Sequence, residues 1–282
     1  MTMHDAVRLL RSSVLALVAL AVLPVLADAI LVAPHALFIM HEEQTGEVYL
    51  VNQGDVAEEV SVDLRYGYPA TDSLGNIGIR FVDAPGPDDP SAAAWLRAFP
   101  RRARVEPGRR QRVRVQASPP ADLPDGEYWA RLIVTSRTVE DSAPAVVDTA
   151  VRAGVTIELR TITSVTYRKG AVQTGVRLDD FQATAYGDSV VAWVDLAREG
   201  NAAFLGSIRF DLLSNEDAVL QSWSTPIAVY VTQHRRFAFP LNGNASGYHR
   251  LRVYVSTERE DIDAQYVLPA TPVERTVSLT VG

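Results

Sequence analysis

The stretch FPRRARVEPGRRQRVRVQASPPADLPDGEYWARLIV, residues 99–134, decides the fold class. It reads as strand, tight turn, strand, Pro-rich loop, strand. Val105-Glu106-Pro107-Gly108 supplies the turn, because Pro fixes φ and Gly accepts φ > 0. Over 111–117 arginine alternates with valine, which gives one apolar and one charged face. Pro119, Pro120 and Leu123-Pro124-Asp125-Gly126 form the loop, and an aromatic-rich run begins at Glu127-Tyr128-Trp129.

Outward from this segment almost every apolar run has period two. Residues 47–52 end in the turn signal Gln53-Gly54, and 60–64 alternate cleanly. A long polar loop is expected over 68–94, with a short helical turn fitting 91–99. The sharpest alternation is VDTAVRAGVTIELR at 147–160, whose odd positions are Val147, Thr149, Val151, Ala153, Val155, Ile157 and Leu159. It predicts a long strand with one largely apolar face that closes the first half of the chain. Further strands are expected at 189–196, 207–213, 227–232, 236–241, 246–255 and 275–281. Many short strands with regular turn signals indicate β-sandwiches.

The chain has 282 residues, a hydrophobic fraction of 47%, a formal net charge of -7 and no cysteine. Residues 1–29 read as a signal peptide. Arg8 and Arg11 precede an apolar run over 14–26, and Ala27-Asp28-Ala29 fits a small-x-small cleavage site. The run is shorter than the roughly 20 residues a spanning helix needs, so an uncleaved anchor is the weaker alternative. The remainder suits two domains of roughly 120 residues each, at 30–162 and 163–282. Without cysteine, neither thiol catalysis nor disulfides are available, and the fold must hold by packing. The acidic balance argues against nucleic acid as a partner. Arg102, Arg104, Arg112 and Arg114 form a candidate basic patch. It is either a solvated face that resists edge pairing or a contact for an acidic partner or anionic surface polymer. His35 and His41 lack further metal ligands, no nucleophile motif stands near a histidine, and Glu258, Glu260, Asp261 and Asp263 lack Ca²⁺-loop spacing. Neither an enzyme nor a cofactor is predicted.

The order of segments resembles the periplasmic pilus-assembly chaperones of the chaperone–usher pathway. The resemblance rests on Val32-Ala33-Pro34-His35-Ala36-Leu37-Phe38, Val51-Asn52, the 99–115 hairpin, the Leu123-Pro124 loop and the long closing strand. It covers roughly residues 32–160, and the second half matches only as a sandwich. It implies an all-β chain of two Ig-like sandwiches in a boomerang, resident in the periplasm. The implied partners are pilus or fimbrial subunits and an outer-membrane usher, with a self-capping homodimer as a further possibility. The implied donor strand carries Val147, Thr149, Val151 and Ala153. The two basic residues with which that family anchors a subunit's C-terminal carboxylate fall on His35 and Thr156, which weakens the anchor. The alternative is a structural or adhesive exported protein that binds through the Arg-rich hairpin.

Overall fold

The computed structural model describes residues 30–139, 157–242 and 249–281. The expected signal peptide, Val147, Thr149, Val151, Ala153 and Thr156 lie outside the described residues.

The chain forms two Ig-like β-sandwiches. In the first, one sheet has the order β1-β3-β9-β7 and the other β2-β11-β10-β4-β8. The strands are β1 (Ile30–Ala33), β2 (Ala36–Met40), β3 (Thr45–Asn52), β4 (Glu58–Arg65), β7 (Leu96–Phe99), β8 (Arg102–Val105), β9 (Arg110–Ala117), β10 (Gly126–Thr138) and β11 (Glu158–Lys169). Period-two burial follows from the alternation. Val48 and Leu50 on β3, Val113 and Val115 on β9, and Ala130, Leu132 and Val134 on β10 meet in one core.

The second sandwich pairs β16-β13-β12-β19 with β15-β14-β17-β18. Its strands are β12 (Thr174–Tyr186), β13 (Ser189–Gly200), β14 (Phe204–Leu213), β15 (Val219–Val229), β16 (Gln233–Pro240), β17 (Arg250–Ser256), β18 (Val273–Ser278) and β19 (Thr280–Val281). Phe204, Ile208, Phe210 and Leu212 of β14 pack there against Leu251, Val253 and Val255 of β17.

Four expectations need correction. First, the hairpin at 102–115 is not a ladder: β8 and β9 belong to opposite sheets. The turn does form, with Gly108 at φ +65°, but it is a corner between sheets. Buried Asn52 holds it, donating from Nδ2 to the Val105 carbonyl at 2.9 Å and accepting from Gly108 N at 2.9 Å on its own carbonyl. Second, most of the closing strand expected at 147–160 lies outside the described residues, and the described strand, β11, runs on past 160 to Lys169. β11 pairs with β10 as far as Lys169, so the break expected at 162/163 falls inside a strand, and the chain changes sheets between Lys169 and Thr174.

Third, the loop expected over 68–94 contains a hairpin, β5 (Gly67–Thr71) and β6 (Ile77–Phe81). Asp72 nucleates it by accepting from Leu74 N at 2.8 Å and Asn76 N at 2.9 Å. The helical turn expected at 91–99 shrinks to one turn, with Leu96 N donating to the Ala92 carbonyl, before β7 begins. Fourth, β12 was not expected at all. A bulge between Leu178 and Asp180 switches its inward positions from Val176 and Leu178 to Phe181, Ala183 and Ala185, which hides the alternation.

Candidate interaction site

β11 has two unlike halves. Along its whole length one edge pairs antiparallel with β10. The other edge pairs with β2, in parallel, only over Ser164–Arg168. Among the described residues no strand pairs with that edge from Glu158 to Thr163. β2 is short because Pro34 cannot donate to a ladder and the chain shifts there from one sheet to the other.

The side chains follow the same division. Val165 and Tyr167 are fully buried in the first core. The same face of the strand continues through Thr163 and Thr161 to half-buried Leu159 and to Ile157, which is 64% exposed. On the opposite face Ile162, 42% exposed, stands across from Ile133. A row thus runs out of the core through two threonines to Leu159 and Ile157 beside an unpaired strand edge, and an unpaired edge with apolar side chains is what strand addition uses.

The two sandwiches meet beside this strand. Phe38, Tyr66 and Trp129 of the first half pack on Ala203, Leu205, Tyr230 and Ile262 of the second. A fully buried ion pair lies under them: Arg168 Nε donates to Glu127 Oε2 at 2.8 Å. The other Glu127 oxygen accepts from Trp129 Nε1 at 2.7 Å and Ala203 N at 3.1 Å. Arg168 Nη1 donates across the interface to the Tyr266 carbonyl at 2.7 Å, and its guanidinium sits 4.8 Å from the centre of the Phe38 ring. Phe38 in turn stacks on Tyr266 at 4.6 Å. The pair therefore has partners in both halves, Trp129 in the first and Ala203 and Tyr266 in the second, which offset the cost of burying the charges. Sequence reading missed this pair. Its signal was present, since Glu127 and Arg168 are charges set among apolar and aromatic strand residues (GEYWA, VTYRK).

The β5–β6 hairpin forms a second tie. The Gly75 carbonyl accepts from Arg236 N at 3.0 Å, Thr71 Oγ1 accepts from His234 N at 3.1 Å, and Gln233 Nε2 donates to the Pro69 carbonyl at 3.3 Å.

His35 is exposed where the first half faces the second, with Nε2 3.4 Å from Asp261 Oδ2. Asp261 is itself held by Arg259 through two 2.6 Å bonds, which keep its carboxyl below the usual carboxylate range. The parallel register sets Ser164 opposite Ala36, so the β11 residues beside His35 are Thr163 and Ser164. The four arginines of the candidate patch are not brought together: Arg102 and Arg104 lie on β8, Arg112 and Arg114 on β9, in opposite sheets. Among the described residues no group of three or more His, Asp or Glu side chains is placed to hold a metal ion.

No family model matches the chain, and no curated protein matches it. Among solved structures it is similar to the YadV chaperone, at 14% identity over 89% of this chain and 99% of that one, with a TM-score of 0.47. It is similar to a chain of the CsuC–CsuE chaperone–tip adhesion subunit pre-assembly complex from the Csu pili of Acinetobacter baumannii, at 13% identity over 90% and 99% of the two chains, TM-score 0.42. It is also similar to the CupB2 chaperone of Pseudomonas aeruginosa, at 12% identity over 87% and 98%, TM-score 0.42.

Proposed function

We propose that this protein is a non-catalytic periplasmic chaperone that captures pilus or fimbrial subunits by donor-strand complementation and delivers them to an outer-membrane usher. The observation that carries the reading is the half-covered edge of β11, with Leu159 and Ile157 extending the apolar face beyond the core. A subunit that lacks one strand would take this edge into its own sheet. Main-chain hydrogen bonds would supply affinity, and alternate side chains would fill its open groove. Val147, Thr149, Val151 and Ala153, outside the described residues, are the odd-numbered positions that precede this row in sequence and would extend it if the strand ran back through them. Full burial of Ile157, 64% exposed, would contribute about 1–2 kcal/mol, and that of Leu159, already partly covered, under about 1 kcal/mol.

The subunit's C-terminal carboxylate would meet His35, with Thr156 as its neutral partner. Protonated His35 would hold it better than neutral His35. In the absence of a client the same edge can pair with a second copy, which gives a self-capping homodimer. Two sandwiches tied by the bonds of Arg168 to Tyr266 and of Ala203 to Glu127, and by the β5–β6 hairpin, would be held at a set angle.

The test is the Leu159→Asp variant, expressed in the native host and purified from the periplasm beside the unaltered protein. Leu159 is half-buried and belongs to neither core, so stability should change by less than about 1 kcal/mol. A small exported β-protein should co-purify with the unaltered chain and be lost from the variant. Equal recovery of that protein with a correctly folded Leu159→Asp variant would rule out the donor-strand reading. Val151→Asp extends the test to the expected donor row.

A further inference from the structure

We infer that the outer face of the β1-β3-β9-β7 sheet is a docking surface for an anionic lipid bilayer. This goes beyond the subunit-binding reading and uses a different sheet. Three independent features of the face carry it.

The first is charge. The ladder registers align Leu31, Val51 and Arg110 in one outward row, Ala33, Tyr49 and Arg112 in the next, then Glu47, Arg114 and Phe99, then Thr45, Gln116 and Arg97. Glu47 is the only acidic residue at these outward positions. It is engaged, with Oε2 accepting from the Tyr49 hydroxyl at 2.8 Å and Oε1 lying 3.3 Å from Arg112 Nη1. Among the described residues no carboxylate lies within ion-pair distance of Arg97, Arg110 or Arg114. A chain of net charge -7 thus concentrates uncompensated cations on one flat surface.

The second is the exposed apolar material among the charges. Phe99 is 77% exposed and Leu31 48%, at opposite margins of the same face. Arginines interspersed with a protruding aromatic and an aliphatic side chain match the boundary between lipid phosphates and acyl chains.

The third is the state of the sheet edges. β1 and β7 are the two edge strands, each has four residues, and each runs directly into a proline, Pro34 or Pro100. Short edges that end in proline resist the addition of a peptide strand. An acidic polypeptide would lack main-chain pairing here, whereas a planar array of phosphates needs only the side chains. No helix among the described residues is long and apolar enough to cross a membrane.

The experiment is co-sedimentation of the purified protein with vesicles of phosphatidylcholine alone and of phosphatidylcholine mixed with phosphatidylglycerol, across a salt series. Binding is expected only to the anionic vesicles and should weaken as salt rises. Arg110→Gln and Arg114→Gln should each weaken it about fivefold, the value of one basic residue at a charged membrane surface. Phe99→Ser should remove the fraction that survives high salt. Arg102→Gln and Arg104→Gln, on the opposite sheet, should leave binding unchanged, and thermal unfolding should confirm that every variant is folded. Equal binding to both vesicle types overturns the inference, as does equal loss from Arg102→Gln and Arg114→Gln. Capture on soluble polyglutamate without preference for anionic vesicles also overturns it and assigns the face to an acidic protein.

Discussion

Replacing Arg168 by methionine tests how the two sandwiches are joined. The variant keeps most of the side-chain volume. It removes the bond to Glu127 and the bond to the Tyr266 carbonyl, and leaves the Glu127 carboxylate buried with only Trp129 Nε1 and Ala203 N as donors. Breaking a buried pair from one side costs about 3–5 kcal/mol, because the remaining charge has lost its counter-ion. At roughly 2–4 °C per kcal/mol for folded units of this size, the midpoint of thermal unfolding should fall by about 10 °C. The assay is calorimetry or circular-dichroism melting of the unaltered chain, of Arg168→Met, of Glu127→Gln, and of the double variant. The double variant should recover a large part of the loss, since it buries no uncompensated charge. A loss under about 1 kcal/mol for Arg168→Met, or strictly additive single effects, would refute the assignment of this pair as a coupled, fully desolvated unit.

Three further outcomes follow from other parts of the fold. Gly75→Ala should release the β5–β6 hairpin from the second sandwich at a cost of about 1–3 kcal/mol. A Cβ there would lie 2.6 Å from the Trp193 ring and 2.7 Å from Arg236 N, and φ is +77°, so a shift in Trp193 fluorescence should report the release. Burial of Asp211 would by itself raise its pKa, but the Ser222 hydroxyl and the Arg252 and Arg209 guanidiniums outweigh this and hold it below the ordinary value. The folded-state pKa is therefore the lower one, and the stabilisation exists above the unfolded value and is lost as pH falls through the folded one. The stability gap between the unaltered chain and Asp211→Asn should thus be full at neutral pH and close below about pH 4, as read from urea titrations. Asn52→Ala should loosen the corner at Val105, removing the buried side-chain bond while the main-chain bond from Gly108 N stays, at a cost of about 1–3 kcal/mol in urea unfolding.

The fold class was legible wherever alternation stayed in phase. Val113 and Val115, flanked by arginines, announce both their strand and their inward face, and β9 forms as that pattern requires. Legibility failed where a local device interrupts the period. The bulge at Leu178/Asp180 concealed β12, and the Asp72 turn hid a hairpin inside a Gly- and Pro-rich stretch. Adjacency in sequence also suggested that β8 pairs with β9. Which sheet a strand joins is set by distant partners, here β4 for β8 and β3 for β9, and periodicity carries no record of them. The interaction site shows the same division. The apolar positions at Ile157 and Leu159 were readable as alternation. The extent to which β2 covers the edge depends on a parallel register between residues far apart in the chain.

That register also bears on how the first sandwich can assemble. β1 finds its partner β3 within a few tens of residues, but β2 waits for β11, which follows more than a hundred residues later. A chain that emerges from its N-terminus can build the β1-β3-β9-β7 sheet first, while β2 and β10 stay unpaired on the sides where β11 will enter. Contacts so distant in sequence form late and slowly. The first sandwich is therefore complete only when Glu158–Lys169 has paired with both β10 and β2. The last strand to arrive is also the one whose leading half remains uncovered, so the step that finishes this domain is the step that displays its open edge.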